Sequence, residues 1–65
     1  MKKLRKQRRM VGLSQFELAR LTGLAPGRIV FAETGRVTLK PEEIEKIKAA
    51  LAHRVAEVNA ALAAA

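Results

Sequence analysis

Enzymatic chemistry needs a nucleophile, a base and a group that orients the base, and this chain holds few of them. Ser14 is its only serine and His53 its only histidine, and Asp, Cys, Tyr and Trp are absent. No nucleophile–base–orienter set can be assembled from that stock. The Glu residues remain as acid/base groups, but nothing in the pattern gathers them around a pocket. A lone His with no Cys or Asp also makes a poor ligand set. The sequence therefore predicts no enzyme, no metal, no cofactor and no small-molecule ligand.

What the chain holds in quantity is positive charge. Thirteen Lys and Arg stand against six Glu, a net +7, and the charge is unevenly spread. Residues 1–40 carry ten basic and two acidic side chains, a net +8, while residues 41–65 carry three and four, a net −1. A basic half joined to a near-neutral half points to one end that meets a polyanion and another that does something else. Nucleic acid, an anionic membrane surface and an acidic protein are the candidates. No apolar run approaches the roughly 18–20 residues needed to span a bilayer, and Met10–Leu13 is no signal-peptide core. The Cys-free composition fits a cytoplasmic chain.

Sixty-five residues leave room for one small domain. Such a chain buries only about 60% of the surface it exposes when unfolded. Without disulfides or a metal, self-association becomes the expected source of extra stability.

The elements that position the cations follow from punctuation and period. Lys2–Val11 reads as a helix with Leu4 and Val11 on one face, stopped by Gly12. Ser14-Gln15-Phe16-Glu17 is a capping box, with Leu13 and Leu18 placed to staple it. Helix two then runs to about Thr22, with Leu18, Ala19 and Leu21 as core candidates, and Gly23 ends it. Pro26 opens a third helix, which runs to about Thr34 with Ile29 and Ala32 inward, and Gly35 ends that one. Residues 36–40 read as an extended loop. Pro41 starts the last helix, with Glu42, Glu43 and Glu45 in the early turns where the helix dipole favours acids. Ile44, Ile47, Leu51, Val55, Val58 and Leu62 recur at the helical period, so one helix of about 20 residues is expected, frayed at Ala63–Ala65. The fold class is all-α: a bundle of four helices, possibly five, with an extended C-terminal helix.

Helices two and three with their Gly-containing turn form a helix-turn-helix unit, whose second helix can enter a major groove. At this point the chain resembles the phage repressor, Cro and Xre-type DNA-binding domains over Leu4 to Leu51. The resemblance rests on GLSQ at 12–15, ELA at 17–19, Gly23, Ile29, Glu33-Thr34-Gly35-Arg36 and Pro41 opening a helix. It implies a repressor-like domain over residues 1–51 and a structural pair between Arg8 and Glu33. It implies a DNA contact by Gln15 at the start of helix two, and base reading by Pro26, Gly27, Arg28 and Phe31, with Val30 flanking. Backbone contacts are implied for Arg36, Thr38 and Lys40. At the base-reading positions the chain departs from the family's usual polar residues, with Pro26, Gly27 and Phe31 in their place. Arg28 is the one side chain in that helix able to grip a guanine with two hydrogen bonds, and the thin polar inventory shifts weight onto DNA shape. The N-terminal run of Lys2, Lys3, Arg5, Lys6 and Arg9 can reach flanking phosphates or simply face solvent.

A second departure is that the last helix, 41–62, runs straight through Ala52-His53-Arg54. Its 52–62 part is expected to be the dimerisation element, with Leu51 just before it and Val55, Val58 and Leu62 within it forming the homodimer stripe, small Ala residues alongside, and His53 facing solvent. The expected function is a sequence-specific double-stranded DNA-binding regulator, a dimeric repressor on a palindromic site. The alternative is an antitoxin or bridging-coactivator-like module whose C-terminal helix binds another protein.

Overall fold

The structure is a computed structural model, and it describes residues 3–65. Four helices follow one another: α1 Leu4–Met10, α2 Gln15–Thr22, α3 Pro26–Glu33 and α4 Pro41–Ala64. No strand occurs among the described residues. Lys2, expected at the start of the first helix, lies outside them.

Each boundary has a local cause. The Ser14 hydroxyl accepts from the Glu17 amide at 3.0 Å, and the Glu17 carboxylate accepts from the Ser14 amide at 3.1 Å. Two orphan donors at the start of α2 are thereby satisfied. Gly23 closes α2 in the left-handed region at φ +73°, where a Cβ would cost about 1–2 kcal/mol. Pro26 and Pro41 each stand at the first position of their helix, where the missing N–H costs nothing.

The four largest fully buried side chains of the core come one from each helix: Leu4, Leu18, Ile29 and Ile47. Each contributes roughly 1.5–3 kcal/mol by leaving water. Leu13, Ala19, Ala32, Leu39 and Ala50 complete the cluster. The helix α2 packs against both α3 and α4, and α3 also meets α1.

Leu21 corrects the sequence reading: it is 44% exposed, and Thr22 takes the inward place. Leu18, Ala19 and Thr22 share the inner face of α2, and Thr22 fits there because its hydroxyl is satisfied locally. It donates to the Leu18 carbonyl at 2.8 Å, which removes the cost of burying a polar group. Leu21 lies at the rim of a cleft shared with Lys46, Ala49 and His53.

The helix α4 runs unbroken for 24 residues, about 36 Å at 1.5 Å per residue. Its last hydrogen bond to the rest of the body, among the described residues, comes from Arg54. The guanidinium Nε donates to the Val11 carbonyl at 2.9 Å, capping the end of α1. No residue after Ala50 is buried, and the molecule measures 40 × 19 × 17 Å.

Candidate nucleic-acid interface

Both acids of the basic half are consumed inside the fold. Glu33, at the end of α3, receives the Arg8 Nε–H at 2.7 Å and its Nη2–H at 3.2 Å. The Gln15 amide donates to the same carboxylate at 2.9 Å. Burial pushes the Glu33 carboxyl up, but the hydrogen bonds from Arg8 and Gln15, with the charges of Arg8 and Arg5, outweigh it and hold the group below its usual range. Arg8 also donates Nη1–H to the Leu13 carbonyl at 2.8 Å, so one guanidinium joins α1, the α1–α2 turn and α3. Glu17 is spent on the α2 cap, and the hydrogen bonds from Ser14 lower its pKa.

The cations, by contrast, are left outside. Lys3, Arg5, Lys6, Arg9, Arg20, Arg36 and Lys40 are all exposed. None of them forms an ion pair among the described residues. Arg5, Arg8 and Arg9 line a cleft with Ser14, Gln15, Glu33 and Thr34 at the start of α2. The peptide dipoles and unsatisfied N–H groups of a helix start favour an anion there.

The outer face of α3 carries the other candidates. Pro26, Gly27 and Phe31 are exposed, Arg28 and Val30 half-buried, and Ile29 and Ala32 turned into the core. Arg36 lies over the Phe31 ring at 5.8 Å from its centroid, a cation–π arrangement that links the helix to the following loop. Thr38 and Lys40 are exposed on that loop. Gln15 is half-buried, and its second amide N–H remains beyond the bond to Glu33.

Gly27 differs from the other three glycines. Gly12, Gly23 and Gly35 have positive φ, whereas Gly27 does not. A Cβ placed on it would meet nothing within 4 Å. Neither conformation nor internal packing calls for glycine at that position.

Arg28 stands in an arrangement that the sequence did not reveal. Its Nε donates to Glu43 Oε2 at 2.6 Å and its Nη2 to Glu43 Oε1 at 2.8 Å. The Lys40 amide donates to the same Oε1 at 2.8 Å. The Arg28 hydrogen bonds, with the Lys40 amide and the charges of both residues, lower the Glu43 pKa to about 2 against the effect of burial, and Glu43 in turn raises that of Arg28. Sequence pattern marks Glu43 only as an acid in a first turn. Its position three residues after the Lys40 cap was the available signal for a carboxylate folded back on the loop.

At the far end of the molecule, Val55 is 42% and Leu62 70% exposed, while Leu51 and Val58 are half-buried. Met10, Val11, Leu51, Ala52 and Val55 line a shallow apolar groove between α1 and α4. His53 is exposed and stands 3.6 Å from Glu57. No helix among the described residues is long and apolar enough to cross a membrane. Nor do any three His, Cys, Asp or Glu among them cluster as metal ligands.

Residues 4–52 match the sequence model of the helix-turn-helix family. No curated protein and no solved structure matches the chain significantly. The match covers three quarters of the chain, from the first residue of α1 to one residue past Leu51, and it spans both the capped α2 and the exposed face of α3. The chain belongs to the helix-turn-helix family in its phage repressor, Cro and Xre form, and is a DNA-binding regulator of that type.

Proposed function

We propose that the chain acts as a homodimeric repressor that reads a palindromic operator with α3 in the major groove. The observation that carries this reading is the segregation of charge. Every acid of the first forty residues is internally paired or capping, and seven cations of that half remain exposed: four on α1 and its N-cap, one near the end of α2 and two on the loop after α3. A surface built this way attracts a polyanion and repels little of it. In this reading Gln15, Arg36, Thr38 and Lys40 contact the backbone, and Pro26, Gly27, Arg28 and Phe31 face base edges. Repression is the simplest output of such a module, since occupying a promoter is enough to block it.

Dimerisation is supported by the length of α4. A helix that leaves Val55 and Leu62 exposed gains by covering them, and a second copy of the same helix offers a matching stripe. A two-fold pair then presents two copies of α3 to successive major grooves, which calls for a palindromic site.

Selection from a random duplex pool at roughly physiological salt, with sequencing of the bound fraction, tests both parts. An enriched palindrome is the expected result, with a half-site spacing of about one helical turn or a multiple of it. Enrichment of a lone half-site would remove the dimer and favour a different protein as the occupant of the α4 stripe. Binding that enriches nothing and vanishes as salt rises would remove sequence-specific regulation altogether.

A further inference from the structure

We propose that Glu43 is a positioning residue for DNA recognition: it grips one edge of the Arg28 guanidinium and so fixes the opposite edge for a guanine. This rests on the reading of α3 as the recognition helix and adds a residue from α4 to it.

A guanidinium is planar and presents two bidentate edges, one made by Nε–H and the adjacent Nη2–H, the other by Nη1–H and the second Nη2–H. Glu43 takes the first edge with both of its oxygens, at 2.6 and 2.8 Å. The second edge is the one that matches O6 and N7 of guanine in a major groove. No hydrogen bond from Arg28 Nη1 is formed among the described residues. The Arg28 side chain keeps 34% of its surface exposed, whereas that of Glu43 keeps only 11%. The acid is thus the fixed member of the pair. It is anchored by the start of α4 and by the Lys40 amide at 2.8 Å, and the arginine is the member that reaches outward.

Two physical consequences favour a role in recognition over a simple tie between α3 and α4. Holding a long side chain in one rotamer before binding lowers the entropy lost when it meets its target. And a carboxylate beside a DNA-facing helix repels phosphates unless its charge is consumed, which the bidentate pair achieves. A lysine at position 28 would satisfy the charge but supply no second planar edge.

The test uses the duplex enriched by the wild-type chain, with each guanine replaced in turn by a deaza analogue that lacks the N7 acceptor. Wild type should lose affinity several-fold at one guanine per half-site, since the analogue removes one of the two acceptors of a bidentate contact. Arg28→Ala removes every donor at this position and should bring that ratio close to one. Glu43→Gln should narrow it several-fold without weakening affinity for unrelated duplex, because it removes a negative charge and frees the Arg28 cation. Glu43→Asp keeps the charge, shortens the reach and should narrow it too, so the result does not depend on one variant folding. The melting temperature of each variant is measured alongside. A Glu43→Gln chain that melts earlier but keeps the wild-type ratio would overturn the proposal and leave DNA recognition intact. A wild-type chain that enriches no duplex would remove the recognition-helix reading and this inference with it.

Discussion

Arg8 and Glu33, twenty-five residues apart, meet in a bidentate pair of 2.7 and 3.2 Å that ties the first helix to the end of the third. The two side chains are only 9% and 3% exposed. Removing one member strands the other charge without its partner, and for such buried pairs the cost is about 3–5 kcal/mol. Arg8→Ala and Glu33→Ala should each destabilise the fold by an amount of that order. The double variant should cost clearly less than their sum. Urea melts of the four chains check this, and simple additivity would show the pair to be energetically idle.

Acid should unfold the protein partly through Glu43. Its pKa falls from an ordinary 4.5 to about 2 in the fold, so the folded chain holds the anion that the unfolded chain would protonate. The associated stability is fully present above pH 4.5 and is lost as pH falls toward 2. Glu33 and Glu17 shift in the same direction and add to the loss. Melting temperature plotted against pH should therefore fall less steeply across that window for Glu43→Gln than for wild type. Parallel curves would contradict the assignment.

Gly27 offers a separation of stability from binding. It is helical, its Cβ position is open, and an alanine there should stabilise the fold by about 0.5–1 kcal/mol. If α3 lies close against DNA at this turn, the same methyl group should weaken specific binding. A higher melting temperature with a weaker specific complex is the expected outcome of Gly27→Ala. Unchanged affinity would mean that DNA keeps its distance from position 27.

The α4 stripe can be tested without disturbing the core. Val55 and Leu62 are 42% and 70% exposed, so lysine at both positions should leave the single-chain fold standing. Sedimentation velocity should show a dimer for wild type and a monomer for Val55→Lys/Leu62→Lys, with circular dichroism confirming the helices. A double variant that stays dimeric would move the interface elsewhere, to the groove beside Met10 and Val11 or beyond.

Sequence alone determined the elements, because their causes are local. A capping box closes within Ser14–Glu17, a glycine at φ +73° stops its own helix, and the period of the apolar residues in 41–62 needs no knowledge of the rest of the chain. The missing Asp and Cys and the uneven charge narrowed the chemistry in the same direct way. Leu21 and Thr22 mark where that ended, since which of two adjacent side chains turns inward depends on how α2 sits against α3 and α4. The partner of Arg28 was hidden for a related reason. Fifteen residues and a loop separate it from Glu43, and no spacing rule links a third-helix arginine to a fourth-helix acid. Ion pairs between helices are set by the relative placement of rigid bodies, so only the tertiary structure decided which cations were neutralised and which were left facing out.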